Sequence, residues 1–504
     1  MKKQISFRPA MALLPSVLAA ALLAGCATAG KDYAGPPAAA PAASFARAGD
    51  AAADGQVLAR WWPALNDATL DGLVDAALKA NPNLGVARAR LRQARAALGT
   101  ERANGRPNGT ATAMAAHVRL PPLGDALGAG AESGAGAEGG AGGGFALPSS
   151  LNLYSVGFDA TWEIDLFGGR RRAVEAAGAA ADAAEAQLAD AQLSLTAEVA
   201  SAYINLRSVQ QRIALSDAAI ARQQRMLDLT ARRVQAGTAS QLDLTRLQGQ
   251  LESTRADAEP LLSQLDAYRD ELATLVGLAP GALDAQLAAA APVPLPPASV
   301  ATGDPAAMLK RRPDIRAAER TLAARSAQVG QADAARFPRL TLLGLIGIGG
   351  THPSDLTHLD DFSAIAAPQL SWNFLDFGRN AARIEQAEGA RDEAEAQYRV
   401  AVLGALRDAE GALSRFKQRR ATVATVARAK AAAEHATELM AARQKAGTAS
   451  LIDLLDTERQ QIAAEQSLAQ AQAALTGEFV ALHKALGLGW QSDNPQATLP
   501  TGAP

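Results

Sequence analysis

The segment Ala236-Gly237-Thr238-Ala239-Ser240 returns unchanged 210 residues later as Ala446-Gly447-Thr448-Ala449-Ser450, and each copy leads into an aspartate between aliphatic residues, Asp243 and Asp453. The match extends at the same spacing: Trp162 with Trp372, Phe167-Gly168 with Phe377-Gly378, and Gly277-Leu278 with Gly487-Leu488. Upstream it continues at a spacing of 231, where Pro82, Gly99, Pro107 and Thr110 answer Pro313, Gly330, Pro338 and Thr341. The first half therefore carries 21 extra residues between Pro107 and Trp162, and they fall in the glycine-rich run 124–148, whose composition predicts a loop. A tandem duplication obliges the fold to use one structural unit twice.

Much of each half has helical periodicity. Residues 83–103 and 314–336 carry apolar side chains at helical spacing and stop before Pro107 and Pro338. From Gly169 to Ala236 there is no proline, and Val199, Leu206, Ile213, Ile220, Leu227 and Val234 recur every seven residues. Such a helix spans about 100 Å, too long for a compact domain, and a seven-residue seam needs a coiled-coil neighbour. The nearest candidate is the helix returning after Gly237. The repeated pentapeptide is thus expected at the tip of an antiparallel helical hairpin, with Gly237 and Gly447 in the left-handed position that ends one helix. Ser240 and Ser450, three residues before Asp243 and Asp453, read as acidic capping boxes that start the next. Composition agrees: 48% of residues are hydrophobic but only 4% aromatic, which suits closely packed alanine-rich helices.

Two strand-like runs interrupt the helices in each half. The clearest has Tyr154, Val156, Phe158, Ala160, Trp162 and Ile164 alternating with polar or small residues, among them Asp159, Thr161 and Glu163. Its mate sets Leu370, Trp372 and Phe374 against Gln369, Ser371 and Asn373 within about 362–375. An apolar face ending in tryptophan, opposite a polar face, suits a membrane barrel strand with lipid on one side and a wet lumen on the other. It also suits a half-buried strand of a soluble sandwich. Strands at about 107–120 and 338–350 alternate less regularly. Four strands cannot close a barrel, which needs about eight, so a barrel reading demands oligomerisation.

The N-terminus has a basic start, Lys2, Lys3 and Arg8, and a short apolar stretch from Met11 to Leu23. That stretch is too short and too interrupted by proline for a spanning helix and reads as a secretory signal over 1–25. Leu23-Ala24-Gly25-Cys26 resembles the lipobox of bacterial lipoproteins, which implies that Cys26 is acylated; by the same resemblance Ala27 points to the outer membrane. Cys26 is the only cysteine, so no disulfide forms within one chain. With 49 basic against 51 acidic residues and no one-sided basic stripe, nucleic acid is excluded as an expected partner.

Taken together, the segment Trp61–Leu84, the run Arg311–Leu340, the Asp-Leu-Phe-Gly-Gly and Leu-Asp-Phe-Gly-Arg junctions at 165–169 and 375–379, and both hairpin tips resemble the TolC-like outer-membrane efflux factors. The resemblance covers essentially all of the mature chain and lies with the lipoprotein branch of NodT- and OprM-type members. It implies a mainly α fold with membrane β. Two tandem helical hairpins would form a periplasmic α-barrel, and four strands per chain would contribute to the twelve-stranded β-barrel of a homotrimer. The corresponding division is a lipidated extended segment 26–60, a first repeat 61–290, a second repeat 291–488 and a tail 489–504. A further implication is passive export of drugs or toxic compounds with a periplasmic adaptor and an inner-membrane transporter of the RND type, the chain being lipid-anchored in the outer membrane. Gly237, Thr238, Ser240, Gly447, Thr448 and Ser450 would be adaptor-docking tips. Acidic rings expected near the tips would draw on Asp243 and Asp453. The repeat breaks where Arg246 corresponds to Asp456, so three arginines would alternate with three aspartates around the mouth of a trimeric tunnel and form a gate.

No phosphate loop, nucleophile elbow or zinc-protease motif is present, and neither a catalytic residue nor a cofactor is expected. His352, Asp355 and His358 have spacing that a metal would accept, but they fall in the loop after the third strand, where polar residues need no metal. Two other readings stand beside the drug-efflux conduit: an exit duct for type I protein secretion, and a structural periplasmic coiled-coil lipoprotein. The second would have no use for duplicated amphipathic strand pairs.

Overall fold

The computed structural model describes residues 29–38, 43–47, 59–119, 150–358, 360 and 362–490. Cys26 and the glycine-rich run 124–148 lie outside them. In chain order the elements are α1 (Ala68–Ala80), α2 (Pro82–Asn104), β1 (Asn108–Arg119), β2 (Ser150–Ile164), α3 (Gly169–Gln235), α4 (Gln241–Val276), α5 (Pro305–Arg311), α6 (Pro313–Ala334), β3 (Arg339–Gly350), β4 (Phe362–Ser371), α7 (Arg379–Lys445) and α8 (Leu451–Ala485). The duplication is retained to the residue in several elements: β3 repeats β1 at 231 residues, and α7 repeats the 67 residues of α3 at 210.

The chain divides into two compact units, each drawn from both repeats. One contains 95–178 and 323–392, and its centre is a four-stranded sheet of order β1-β2-β3-β4 with every pair antiparallel. The Trp162 indole donates to the carbonyl of Gly105 at 3.1 Å, and the Trp372 indole donates to Arg336, the repeat counterpart of Gly105, at 3.0 Å. β4 ends at Ser371, short of the expected Trp372–Phe374. Its pairing begins with Arg339 opposite Ser371, and Pro338, next along the partner, has no N–H with which to extend the ladder.

Arg172, at the start of α3, was not singled out by the sequence. Its buried guanidinium donates to the carbonyls of Ala29 and Gly30 at 3.3 and 3.1 Å, and to the carboxylates of Asp32 and Glu175, each at 2.7 Å. The Ala29 amide donates to the Phe167 carbonyl at 2.9 Å. Together they fasten the N-terminal segment to the junction between β2 and α3.

The second unit holds the remaining helical segments and the apolar core. Asp67 caps α1 by accepting from the amides of Thr69 and Leu70, and its second oxygen accepts from the Tyr203 hydroxyl at 2.7 Å. Trp61 packs edge-on against Phe479, and both rings contact the buried His483. At the C-terminal end of α4, Gly277 has φ 86° and lies so close to α1 that a Cβ would sit 2.7 Å from the Ala80 carbonyl oxygen.

Burial along α3 follows more than the seven-residue seam. Val199 and Leu206 are fully buried, but Ile213, Ile220, Leu227 and Val234 are only half-buried, while Ser216, Ala219, Gln223 and Thr230 are buried. The reason is a second neighbour. Gln224 of α3 accepts from Arg255 of α4 at 3.2 Å, and Ser216 accepts from Gln466 of α8 at 3.2 Å, so α3 is covered from two sides. Polar contacts between alanine-rich helices leave little trace in a hydrophobic period. Pro260, inside α4, leaves the Ala256 carbonyl without its helical donor and is matched in the second repeat by Gln470.

Candidate functional site: amphipathic sheet and helical tips

Strand register collects the alternating side chains into faces. Phe158 lies opposite Ala111 on one side and Ile346 on the other, Val156 opposite Ala113 and Ile348, and Ile348 opposite Phe362. These residues share one apolar face, on which Phe158 is 67% exposed. The other face carries Thr112, Asp159, Thr161, Glu163, Thr341 and Gln369, and Thr112 donates to Asp159 at 3.0 Å across the β1–β2 pair. β3 breaks the alternation, since Leu343 and Leu345 put apolar groups on that polar face. Its period in sequence is irregular for this reason. Exposed Trp372 and Phe374 contact one another just after β4, with ring centroids 5.9 Å apart, at the same end of the sheet as Trp162. An exposed apolar band with tryptophans at one end is the surface a lipid bilayer accepts. Among the described residues no helix is long and apolar enough to cross a membrane.

Both helical tips close in one way. Gly237 has φ 70° and Gly447 φ 74°. The Thr238 amide donates to Arg233 at 2.8 Å and the Gly237 amide to Val234 at 3.0 Å, while Thr448 and Gly447 donate to Arg443 and Gln444 at 3.0 and 3.1 Å. This paired geometry is the Schellman motif. Each threonine hydroxyl adds a bond to the same arginine carbonyl, at 3.1 Å in both tips. The hydroxyl contacts explain why threonine follows glycine in both copies of the repeated pentapeptide.

Helix starts differ between the tips. Ser450 and Asp453 form a reciprocal capping box: the serine hydroxyl accepts from the Asp453 amide, and the carboxylate accepts from the Ser450 amide at 3.1 Å. The Ser450 hydroxyl, which donates to the carboxylate at 2.8 Å, and then the Ser450 amide hold the Asp453 carboxyl below its ordinary range. Ser240, with ψ 142° against 160° at Ser450, accepts instead from Leu242, and the expected box with Asp243 does not form. Asp243 therefore has no bond to its cap.

Arg246 and Asp456, the divergent pair, are both exposed and are not brought together within the chain. Asp456 accepts from Arg459 and Gln460, each at 2.8 Å, on its own helix. Leu229 and Leu242 near the first tip are exposed, as are their repeat counterparts Leu439 and Ile452 near the second. An open groove of about 430 Å³ lies between the end of α3 and the start of α8, with Leu229, Arg233, Thr238 and Leu454 in its wall.

In the loop after β3, residues Pro353–Thr357 form a 3₁₀ turn, in which Asp355 accepts from the His352 amide at 2.8 Å. That bond, with the imidazole of His352 nearby, lowers the Asp355 carboxyl. His358 Nδ1–H donates to the Ser354 carbonyl at 2.8 Å, a contact that requires the Nδ1–H form of the ring. Among the described residues no three His, Cys, Asp or Glu side chains converge.

An exposed apolar sheet joined to two long helical hairpins defines a membrane-embedded channel subunit. The model of the family described as outer membrane efflux protein matches residues 73–278 and 305–488. The chain is 31% identical over 489 residues to nodulation protein T of Rhizobium leguminosarum bv. viciae, covering 96% of this chain and 94% of that one. It is also 31% identical over 448 residues to the pyoverdine export outer membrane protein OpmQ of Pseudomonas putida, covering 86% and 89%. Among solved structures, the outer-membrane channel OprN is similar with a TM-score of 0.82 and 34% identity, over 92% of this chain and 99% of that one. The chain belongs to the outer membrane efflux protein family, and it is an outer-membrane efflux channel component.

Proposed function

We propose that this chain assembles as a homotrimer, with twelve strands closing one outer-membrane barrel and the helical hairpins lining a passive conduit for small toxic compounds. The observation that carries the reading is the four-stranded sheet with an exposed apolar face and two free edges, which needs strands from other copies to close. Export of pyoverdine by a relative supports small molecules over polypeptides as cargo. A periplasmic adaptor and an RND-type inner-membrane transporter complete the assembly, and the conduit itself performs no catalysis.

The adaptor docks at the tips. Since the threonine hydroxyls are engaged in closing the turns, docking falls to the exposed Leu229, Leu242, Leu439 and Ile452 beside them and to the groove between α3 and α8. Asp243, Asp453, Arg246 and Asp456 form the periplasmic gate. Cys26 carries the lipid: Ala29, fastened by Arg172, is three residues on, within about 11 Å of extended chain. That reach supports an acyl group beside the tryptophan end of the sheet.

The test is reconstitution of purified protein in planar bilayers, together with drug susceptibility of a deletion strain carrying the gene and its adaptor. Discrete channels and restored resistance are expected. Absence of any conductance from an outer-membrane-inserted oligomer overturns the conduit reading, and secretion of a polypeptide without a change in resistance favours the type I duct.

A further inference from the structure

The two repeats agree in strand register as well as in sequence. β1 and β2 pair with Asn108 opposite Thr161, and the counterparts of these residues in β3 and β4, Arg339 and Ser371, lie opposite one another. At the junction between repeats, β2 meets β3 with Asp159 opposite Leu345 and Ala160 opposite Gly344. The junction also carries a ring contact outside the sheet. Phe167, after β2, stacks on Phe337, before β3, with centroids 4.6 Å apart and 15° between planes.

Phe377 is the counterpart of Phe167, and its situation is different. It is 85% exposed, and its φ of 53° lies in the left-handed region that a bulky residue avoids unless its surroundings hold it there. No ring or cation contact to it exists among the described residues. The counterpart of Phe337 is Arg106, which is exposed before β1 and has no side-chain partner among the described residues. The free edges of β4 and β1 stand to one another as the paired edges of β2 and β3 do.

We infer that β4 pairs with β1 of a second copy in the register set by the internal junction, with Gln369 opposite Met114, and that this pairing brings the Arg106 guanidinium of that copy over the Phe377 ring. The inference rests on the proposed closure of one barrel by several copies and adds the register in which they meet. In this register Leu370 faces Ala113 on the apolar face and Ser371 faces Thr112 on the other, so the two faces run on across the seam. A slip of one residue would turn apolar groups into the lumen. A guanidinium is flat and stacks on an aromatic face, so Arg106 replaces Phe337 with a partner of like shape and adds cation–π attraction.

Paired cysteines test the register in the full-length protein in outer membranes. Met114→Cys with Gln369→Cys is expected to form inter-copy disulfides on mild oxidation. Two controls keep the same face but shift the register by two residues: Met114→Cys with Ala367→Cys, and Met114→Cys with Ser371→Cys. Both should crosslink at least tenfold less, and single-cysteine variants account for Cys26. Preferential crosslinking of either shifted pair overturns the register while leaving barrel closure intact, whereas no crosslink in any pair from an inserted protein overturns both. For the ring contact, Arg106→Ala and Phe377→Ala should each lower the temperature at which the oligomer dissociates in detergent, and the double variant should fall no further than the larger single effect. Additive losses, or no loss in either single variant, overturn the contact.

Discussion

His483 sits in the aromatic cluster of the helical unit, with Nδ1–H donating to the Phe479 carbonyl at 2.8 Å. Burial lowers its pKa from the ordinary 6.5 to about 4. The folded state therefore holds the neutral ring where the unfolded chain binds a proton, so stability is complete above pH 6.5 and falls as the pH drops toward 4. The expected loss is on the order of 3 kcal/mol. Thermal unfolding at stepped pH checks this, and His483→Gln should flatten the dependence across that window. Gly277 gives a second prediction. Its φ of 86° and the Ala80 oxygen 2.7 Å from a would-be Cβ leave no relief, so Gly277→Ala should destabilise by more than about 1 kcal/mol. At the repeat counterpart, Gly487, with φ 74°, a Cβ would meet Arg312 Cγ at 2.9 Å and its backbone Cα at 3.2 Å, and the guanidinium is held by Asp314 and the Ala485 carbonyl, so Gly487→Ala should cost a comparable amount. Denaturant midpoints of the two variants check both losses. The sequence marks both glycines through the repeat, but the carbonyl and the arginine that crowd them come from distant stretches of chain.

The hairpins and the sheet were legible as elements because their signals are local. Glycine at a helix end, serine three residues before an acid, and alternation along β2 all belong to short stretches of chain. What escaped depends on neighbours: α3 buries Ser216 where Gln466 of α8 reaches it, and β4 stops at Ser371 because β3 begins after Pro338. The tips carry an element-scale prediction. Ser450→Ala removes the two bonds of its hydroxyl, one accepted from the Asp453 amide and one donated to the Asp453 carboxylate, and leaves only the backbone amide bond of the box, whereas Ser240→Ala removes one. The second hairpin should lose about 1 kcal/mol and the first less, read as faster amide exchange in the first turn of α8 than of α4. Docking is tested separately. Leu229→Glu with Leu439→Glu places a charge on each exposed apolar site and should abolish adaptor crosslinking with the oligomer intact; unchanged crosslinking would remove these leucines from the interface.

At the scale of the assembly, the sequence carries the number of strands per chain but not their closure, because free edges and exposed faces belong to a single copy only by default. The barrel is expected to hold each subunit in the membrane without its lipid. Protein with Cys26→Ala and a cleavable non-lipoprotein signal should still fractionate with the outer membrane, and a soluble periplasmic product would contradict the barrel. The tip is where copies must cooperate through charge. Within one chain Asp456 is bonded to Arg459 and Gln460, and Arg246 is exposed with no ion pair among the described residues. A gate pair is therefore expected between copies, and it would draw Asp456 away from Arg459, an exposed partner of the kind that contributes little. Three such exchanges acting together would bias the closed mouth, and low salt would strengthen them. Single-channel recordings should show longer openings for Asp456→Ala and for Arg246→Ala than for the wild type, and the exchange Arg246→Asp with Asp456→Arg should restore closure. Raising the salt should lengthen wild-type openings and leave the alanine variants unchanged. Identical open times across the four proteins would place the gate elsewhere along the helices.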